Sequence, residues 1–282
     1  MDLRHPPAEV SVDADLARRL LAAQHPHLLG SDPVPVGEGW DNFIFRVGAE
    51  HALRVPRRQV GVELLLHEQR WLPEIAGWID IAVPVPVAVG VPSELFAWPW
   101  SVVRWIEGDT AESAPLSVAD AERLGGALRA LHRPSPPEAP TNPFRGVPLS
   151  DRAAVVEERL ARLGLRALEP VFKKALSAPP APRAVWLHGD LHPRNVLVRD
   201  GALVGLIDWG DVTGGDPATD LVCAWTLFEP AGRESFRRRY GPTPAEWARA
   251  KGWAVHFGSA LVDSGEPAHV SIGHRILEQL AL

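Results

Sequence analysis

The residues best suited to chemistry lie in one short segment near position 190. The segment reads His188-Gly-Asp190-Leu-His192-Pro-Arg-Asn195, and thirteen residues after Asn195 an apolar run ends at Asp208. Two carboxylates and one amide oxygen are hard oxygen ligands that suit Mg²⁺, which shares its remaining positions with phosphates and water. An aspartate kept free of the metal could instead accept a proton from a hydroxyl group. Phosphoryl transfer requires both functions, a base that orients the attacking oxygen and a metal that neutralises the triphosphate.

Short apolar runs after this segment predict the strands that lead to Asp208. Residues 196–198 and residues 203–207 fit a small hairpin, which places Asp208 at the end of a strand. Pro193 lies between Asp190 and Asn195 and is expected to keep that stretch in a loop rather than a helix. The sequence thus predicts a loop followed by a hairpin, and together they carry all three oxygen-bearing side chains.

The pattern His-x-Asp-x-x-x-x-Asn followed by Ile-Asp-Trp resembles the aminoglycoside phosphotransferase family. These are kinase-like small-molecule phosphotransferases related to choline kinases and protein kinases. The resemblance implies that Asp190 is the catalytic base and that His188 braces the catalytic loop. It further implies that Asn195 and Asp208 hold Mg²⁺ and that ATP or GTP is the phosphate donor.

The same resemblance implies a cation on the third strand of the small lobe, where the family usually has a lysine for the α- and β-phosphates. Lysine occurs only at positions 173, 174 and 251, and the matching residue here is Arg54. Arginine keeps the charge and can grip a phosphate with two donors, although its planar fork differs from an ammonium group. The acidic partner expected on the following helix is Glu68. Glu63 is the rival on that helix, and the two point to different faces.

Two further parts of a nucleotide site are implied by position. The stretch Val36-Gly37-Glu-Gly39-Trp-Asp-Asn42 occupies the place of the glycine-rich phosphate cover, with Asn42 where a third glycine would fall. A strand that begins at Trp100 runs into the predicted hinge. There the carbonyl of Arg104 and the amide of Ile106 are expected to hold the adenine through the backbone.

Hydrophobic patterning in the first third of the chain predicts mostly antiparallel strands. Residues 43–47 and 52–55 fit a hairpin, and short strands are expected within residues 83–91 and 100–106. Residues 61–72 have helical texture, and a helix within the first thirty residues has Ser11 or Asp13 available as its cap. This part of the chain therefore predicts a sheet that carries a helix.

Helical patterns dominate the remainder, over residues 119–132, 151–177 and 218–282. Together with the resemblance, they predict an α+β, bilobal, protein-kinase-like fold with a small antiparallel-sheet N-lobe carrying one helix and a larger α-helical C-lobe. The predicted domains are an N-terminal nucleotide-binding lobe over residues 1–107 and a C-terminal catalytic and acceptor-binding lobe over residues 108–282. Asp216 is expected to cap a helix that starts at Pro217, and Asp220 is expected to brace the catalytic loop.

Composition excludes several classes of protein. The net charge of −6, from 29 basic and 35 acidic residues, argues against nucleic acid as a partner. The single Cys223 excludes an intrachain disulfide and a cysteine-rich metal site. The residues that follow Met1 lack the apolar core of a secretory signal, and prolines interrupt the longest apolar run, residues 81–92. A cytoplasmic protein with no membrane partner is the expectation.

The acceptor is the least determined part of the prediction. An antibiotic such as an aminoglycoside is expected, and the acids that could receive its ammonium groups are Glu229, Glu234, Asp263 and Glu266. Aromatic side chains could instead line a pocket for a macrolide, namely Trp225, Phe228, Trp247 and Trp253. A kinase for a metabolite such as choline, homoserine or an amino sugar stays open. So does a catalytically silent kinase-like binding protein, because Arg54 replaces the usual lysine.

Overall fold

The computed structural model describes residues 7–281, so the residues on which the signal-peptide argument rests lie outside it. The described chain clusters into two compact units. The first unit contains residues 7–108 and Val204–Gly210, and the second contains Asp109–Leu203 and residues 211–281. The domain boundary between residues 107 and 108 remains a prediction. The segment Val204–Gly210 clusters with the first unit, although it is distant from it in sequence.

An antiparallel sheet forms the centre of the first unit. Its strands are β1 (Val34–Glu38), β2 (Asn42–Val47), β3 (His51–Pro56), β4 (Pro86–Gly90) and β5 (Trp100–Arg104). They lie in the order β1-β2-β3-β5-β4, and all neighbours are antiparallel. The predicted hairpin is β2–β3, in which Ile44 is opposite Arg54. Side chains alternate along these strands, so Leu53 and Val55 face one side of the sheet and Arg54 faces the other.

Two helices cover the faces of this sheet. They are α1 (Ala14–Gln24) and α2 (Gln59–Ile75). Asp13 caps α1 by accepting a hydrogen bond from the Leu16 amide, as one of the two expected caps. Helix α1 buries Leu20 in the cluster that contains Leu53. Helix α2 packs on β3, β4 and β5 and lies on the Arg54 side, so the sheet holds an ion-pair layer on one face and an apolar core on the other.

Helices form most of the second unit. They are α3 (Val118–Leu131), α4 (Ala153–Arg162), α5 (Glu169–Leu176), α6 (Cys223–Thr226), α7 (Pro230–Tyr240), α8 (Pro244–Asp263) and α9 (Pro267–Ala281). Helix α3 packs on α7, and α8 packs on α5 and α9. Capping boxes at Ser117 and Thr243 fix where α3 and α8 begin.

Short strands frame the predicted catalytic loop. They are β6 (Asp109–Thr110), β7 (Val185–Leu187), β8 (Val196–Arg199), β9 (Ala202–Leu206) and β10 (Thr213–Gly215). Strand β7 pairs with β10, β8 pairs with β6, and β9 lies next to β8 as the predicted hairpin requires. The hairpin turns at Asp200 and Gly201, both with positive φ. The segment that begins at His188 therefore starts where one buried strand ends and stops where the next begins.

Three local expectations were wrong. The predicted helix over residues 151–177 is two helices, α4 and α5, because Gly164 adopts a left-handed φ of 70° between them. Pro193 does not prevent helical structure but opens a 3₁₀ turn, Pro193–Asn195, at the first position where proline fits. The helix expected to start at Pro217 is a turn that leads into the 3₁₀ turn at Asp220–Val222, although Asp216 does cap that turn by accepting a hydrogen bond from the Ala218 amide at 3.0 Å. In the part of the chain that the structure describes, no helix has the length and apolar character to cross a membrane.

Candidate active site

The first group of predicted site residues meets at an ion pair inside the first unit. Arg54 on β3 donates to the Glu68 carboxylate on α2 at 2.5 Å, and both side chains are at most 10% exposed. Glu68 also accepts a hydrogen bond of 3.0 Å from the Trp209 amide. Burial raises the pKa of Glu68, whereas the charge of Arg54 opposes that rise. Glu68, and not its rival Glu63, is therefore the acid that pairs with the strand cation.

Asp208 lies beside this pair but stays open to solvent. Its carboxylate is 3.8 Å from the Arg54 guanidinium, and its side chain is 57% exposed. Its backbone has a positive φ of 60°, a conformation that aspartate tolerates better than most residues. The Trp209 side chain next to it is fully buried and donates to the Leu206 carbonyl. The buried tryptophan and the Glu68 bond thus fix the backbone that presents an exposed carboxylate.

The predicted glycine loop joins β1 to β2 and is tied to the chain after β3. Arg57 donates to the Gly39 carbonyl at 3.1 Å, and Arg58 donates to the Asp41 carboxylate at 2.6 Å. Burial raises the pKa of Asp41, although the Arg58 charge opposes it. No described atom lies within 4 Å of a side chain built on Gly37. Backbone at Gly37 is therefore open to a ligand, while Gly39 is anchored.

The predicted hinge residues lie where β5 ends. Arg104 is the last residue of β5, and its amide donates to the Val85 carbonyl. The amide of Ile106 makes no hydrogen bond within residues 7–281, whereas its side chain packs against Gly205 so closely that a Cβ there would collide. The Ile106 amide is therefore a free donor beside an immobilised side chain.

The second group of site residues lies in the loop after β7, inside the second unit. His188 is fully buried, and its ring accepts a hydrogen bond from the Asp190 amide at 3.3 Å. Asp220 accepts hydrogen bonds from the amides of His188 and Gly189 at 2.8 and 2.9 Å. Gly189 has a φ of 88°, and a Cβ there would meet the Asp211 carbonyl at 2.3 Å, so only glycine fits. Both predicted braces, His188 and Asp220, act on the loop backbone.

Asp220 is itself held in the ionised form. It is 3.3 Å from the His132 ring, whose other nitrogen is 2.7 Å from the Tyr240 hydroxyl. Burial would raise the pKa of Asp220. The contacts with His132, the charge of His188 and the backbone donors outweigh burial and lower that pKa below its usual value. An ionised carboxylate accepting two backbone N–H groups makes a rigid base for the loop.

Asp190 also stays ionised, through side chains that bind it directly. Arg145 donates to one carboxylate oxygen at 2.6 Å, and the His192 ring is 3.2 Å from the other. Burial would raise the pKa of Asp190, but the charge of Arg145 and the hydrogen bond from His192 hold it well below its usual range. Asp190 can therefore accept a hydrogen bond or a proton at neutral pH.

Asn195 has the orientation that a cation ligand requires. Its amide nitrogen donates to the Asp190 carbonyl at 2.9 Å, which fixes the side chain. Its carbonyl oxygen forms no hydrogen bond among the described residues and remains available as a ligand. No cluster of three or more His, Cys, Asp or Glu side chains suited to a metal occurs in residues 7–281. The amide oxygen of Asn195 and the exposed carboxylate of Asp208 are each hard donors of the kind that Mg²⁺ accepts beside phosphates and water.

Each unit brings together a different part of the predicted site. Arg54, Glu68 and Asp208 meet in the first unit, and Asp190 and Asn195 meet in the second. The other four predicted residues are Gly37, Gly39, Arg104 and Ile106. In the described chain, no hydrogen bond or ion pair joins any of them to the pair of Arg54 and Glu68.

Sequence reasoning missed two side chains that touch Asp190. His192 stands inside the quoted motif, so its spacing of two residues was a visible signal. Arg145 lies 45 residues from Asp190 and follows a proline-rich connector, so no spacing in the sequence indicates the contact. The geometry alone identifies Arg145.

Three of the four acids expected to receive ammonium groups already contact a basic side chain. Asp263 pairs with Arg159 at 3.3 Å and with Arg162 at 2.6 Å. The other close pairs are Glu234 with Arg237 and Glu266 with His269. Glu229 is exposed at the start of α7. Among the aromatic candidates, Trp225, Phe228 and Trp253 are buried in the helical core, and Trp247 lies against Trp225.

Comparison with known sequences extends over most of the chain. The sequence model of the phosphotransferase enzyme family, APH, matches residues 32–253, a range that includes every residue predicted for the catalytic base, the nucleotide and the metal. A homoserine kinase of Methylocella silvestris is 31% identical over 211 residues. That alignment covers 66% of this chain and 64% of the kinase, so the chain spans less than two thirds of this curated relative.

Solved structures share the fold. The GDP complex of aminoglycoside 2'-phosphotransferase-IIIa superimposes with a TM-score of 0.67 at 18% identity, covering 96% of this chain and 99% of that one. Macrolide 2'-phosphotransferase MphH from Brachybacterium faecium gives a TM-score of 0.60 at 22% identity, covering 94% and 97%. The predicted α+β, bilobal, kinase-like fold, with a sheet-based N-terminal lobe and a helical C-terminal lobe, is confirmed.

Proposed function

Because the chain belongs to the phosphotransferase enzyme family, we propose that it transfers the terminal phosphate of ATP or GTP to a hydroxyl group of a small molecule. Asp190 is the catalytic base that orients the attacking hydroxyl and accepts its proton. The single observation that carries this proposal is the loop after β7, in which Asp190 is ionised and its backbone is fixed by Asp220.

Asn195 and Asp208 would hold the magnesium ion in this proposal. Both offer an oxygen that the rest of the described protein does not use, apart from the 3.8 Å approach of Arg54 to Asp208. When bound, Mg²⁺ neutralises charge on the triphosphate. The protein's own contribution is to keep both side chains in place, Asn195 through its bond to the Asp190 carbonyl and Asp208 through the buried Trp209.

The nucleotide is assigned to the first unit. Arg54, held by Glu68, would contact the α- and β-phosphates, where its fork can donate two parallel hydrogen bonds. The backbone at Gly37 would cover the phosphates, and Gly39, whose amide donates to the Asn42 carbonyl at 2.9 Å, would hold the loop in place. The Arg104 carbonyl and the unbonded Ile106 amide would hold the purine. Solved relatives support a nucleotide as the phosphate donor, since one structure is a GDP complex and another contains streptomycin and ATP.

The acceptor is a small-molecule alcohol, and two kinds of relative bear on its identity. Solved relatives named for aminoglycosides and macrolides favour an antibiotic, whereas the homoserine kinase favours a metabolite. The aminoglycoside predicted from sequence would need free carboxylates. Two of the four candidates, Asp263 and Glu234, already pair with arginines, and a third, Glu266, contacts the His269 ring. Metabolite acceptors such as homoserine, choline or an amino sugar are therefore tested alongside the antibiotics.

A silent binding protein is the second candidate, and Arg54 in place of lysine is the observation that favours it. The ionised Asp190 and the unused Asn195 oxygen weigh against it, because a protein that only binds nucleotide has no need of a base for the acceptor. Under this alternative, magnesium-dependent nucleotide binding would occur without transfer to any alcohol.

A transfer assay separates these possibilities. Purified protein is incubated with Mg²⁺, with γ-labelled ATP or GTP, and with a panel containing kanamycin, erythromycin, choline, L-homoserine and glucosamine. The proposal predicts label on at least one alcohol at a rate above the hydrolysis measured without acceptor. Bound nucleotide with no labelled alcohol across the panel and an extended alcohol library would favour the silent alternative.

A further inference from the structure

We propose that the acceptor is an alcohol that also carries an anionic group, a carboxylate or a phosphate, and that Arg145 binds this anion next to Asp190. The inference deepens the proposed function and rests on it, because Asp190 must be the group that meets the reacting hydroxyl. It concerns only side chains of the second unit. Arg145 acts as a specificity-determining residue in this proposal, since it would touch the acceptor but no reacting atom.

Arg145 is held rigidly where an acceptor must bind. Asn142 accepts hydrogen bonds from the amides of Phe144 and Arg145 at 2.8 and 3.1 Å, which closes the turn before the arginine. The following Gly146 has a φ of 68° and packs so closely on Leu187 that a Cβ would clash. The guanidinium then lies 5.0 Å from the centre of the Phe257 ring. A short, anchored segment therefore fixes the arginine head over an aromatic face.

The guanidinium has unused donors. Its one hydrogen bond among the described residues goes to a single oxygen of Asp190, and the side chain is 22% exposed. A guanidinium carries five N–H donors in a planar fork that matches carboxylate and phosphate oxygens. The His192 ring takes the second oxygen of Asp190, so Arg145 binds that carboxylate through one oxygen alone. The free part of the fork is thus available to a ligand.

The surroundings of Arg145 are basic. Arg152 donates to the Pro143 carbonyl and lies over the Phe144 ring, and no carboxylate in the described chain pairs with it. Its Nε is buried without a hydrogen-bond partner. Arg159 contacts the His256 ring and carbonyl at 3.5 Å. Arg152 therefore lies beside the segment that leads to Arg145, and Arg159 lies beside His256.

The positive charges of these arginines act on the pKa of His256. Burial lowers that pKa first, and the positive charges of Arg159, Arg152 and Arg145 lower it further, to about 3. His256 is therefore neutral at physiological pH and adds no charge. The nearby acids are already engaged, because Asp263 pairs with two arginines and Asp211 accepts from Asn142 at 2.6 Å.

The balance of positive and negative charges around Arg145 favours an anionic acceptor over a cationic one. An ammonium group placed beside Arg145 and Arg152 would be repelled by two guanidinium charges, of which only the first has a carboxylate partner. A carboxylate or phosphate in the same place would gain charge-assisted hydrogen bonds from the unused donors. An anionic alcohol therefore fits this part of the second unit better than a polycation does.

Matched acceptors test the proposal. Transfer rates are measured for glycerol, D-glycerate and sn-glycerol 3-phosphate, for L-homoserine and 3-aminopropan-1-ol, and for kanamycin. We expect kcat/KM to be at least about tenfold higher for the anionic member of a pair. The carboxylate and phosphate arms distinguish the two sources of the anion. A preference for the member of each pair that lacks the carboxylate or phosphate, or for kanamycin, would overturn the inference while leaving the phosphotransferase proposal intact.

Substitution of Arg145 gives the second arm. R145Q is expected to lower kcat/KM for the preferred anionic acceptor about tenfold or more and to bring the ratio within each pair close to one. R145K should restore part of the preference, and R166Q, at an exposed arginine of the same unit, should change nothing. Melting temperatures of all variants confirm that they are folded.

Three results would count against the role of Arg145. An equal loss for anionic and neutral acceptors in R145Q would make it a positioning residue for Asp190 only. A rise in the nucleotide KM with every acceptor would assign it to the donor instead. If the wild type binds Mg²⁺-nucleotide but phosphorylates none of these alcohols or of a broader library, the proposed function fails, and the inference fails with it.

Discussion

Arg54 stands where the family usually has a lysine, and this difference affects the contacts of its neighbours, Glu68 among them. A lysine would offer one ammonium group, whereas Arg54 reaches Glu68 at 2.5 Å and Asp208 at 3.8 Å with different nitrogens of one planar head. Glu68 in turn depends on Arg54, because its carboxylate is almost completely buried. Removing the arginine leaves that charge with only the Trp209 amide as a partner.

We expect R54M to lower the free energy of unfolding by about 3–5 kcal/mol, as for a buried ion pair that loses one partner. It should also raise the KM for ATP or GTP at least about tenfold. R54K should lower the free energy of unfolding less and raise the nucleotide KM less, because it keeps a positive charge. Denaturant titration and steady-state kinetics measure the two effects, with the exposed R19M as a control. A folded R54M enzyme with unchanged stability and nucleotide KM would refute the assignment.

Sequence alone identified the residues that follow a local pattern. Asp190, Asn195 and Asp208 are close in the chain and follow strands, so their register was visible. Arg54 and Glu68 were found through their positions in a resemblance, and the geometry selects Glu68 over Glu63 because Arg54 donates its hydrogen bond to Glu68. A contact between residues far apart in the chain, such as that of Arg145 with Asp190, has no local pattern in the sequence that could predict it.

At the scale of elements, the end of β7 is the critical structure. The loop after it is fixed by Asp220, which lies in the 3₁₀ turn Asp220–Val222 and accepts from two consecutive backbone amides. A second brace, the buried pair of Asp216 with Arg249 at 2.6 Å, connects the preceding turn to α8. These two braces act on the backbone around Asp190, whereas its carboxylate is bound by Arg145 and His192.

We expect D220N to lower the free energy of unfolding by about 1.5–3 kcal/mol at pH 7, because charged hydrogen bonds to two amides become neutral ones. kcat should fall as the loop loosens. The folded-state pKa of Asp220 is below its ordinary value, so its contribution is present above about pH 4 and disappears as the pH falls through the folded pKa. The stability of D220N should therefore depend less on acid than that of the wild type.

Urea titrations between pH 7 and pH 3 test this expectation, with the exposed D151N as the control variant. Equal pH dependence in D220N and the wild type would show that Asp220 does not stabilise the fold through its charge.

Elements were predictable where one physical signal dominated. Alternating apolar residues predicted the β2–β3 hairpin, and apolar residues at helical spacing predicted α2 and α3. The break between α4 and α5 was not predicted, because the surrounding residues favour a helix and Gly164 overrides them through its left-handed backbone. The 3₁₀ turn at Pro193 was missed because proline can begin a helical turn as well as prevent one.

At the scale of the whole molecule, the chain passes from one unit to the other and back. Val204–Gly210 clusters with the first unit, so Asp208 belongs with Arg54 and Glu68 although it is close in sequence to Asn195. Patterning predicted the sheet-rich and helix-rich parts, and the family fold supplied their arrangement. No pattern in the sequence indicated that seven residues of the second half group with the first.

We expect Mg²⁺ and nucleotide together to stabilise the protein more than either alone. A ligand at one hundred times its Kd adds about 2.7 kcal/mol to the free energy of unfolding, which raises the melting temperature. N195A and D208N should lose the magnesium-dependent part of the shift and keep the rest, whereas D200N, at an exposed aspartate of the neighbouring turn, should behave like the wild type. Scanning fluorimetry with and without EDTA measures the shifts, and an identical nucleotide shift in EDTA would argue against the two assigned ligands.

The role of Asp190 is the central claim, and single-turnover transfer by D190N tests it most directly. The substitution keeps size and hydrogen-bonding capacity but removes the carboxylate that meets the hydroxyl. With the best acceptor of the panel, transfer should fall about 10²–10⁴-fold, while the Kd for Mg²⁺-nucleotide, measured by calorimetry, changes less than about twofold. Transfer by D190N at a rate within a few-fold of the wild type would contradict the account.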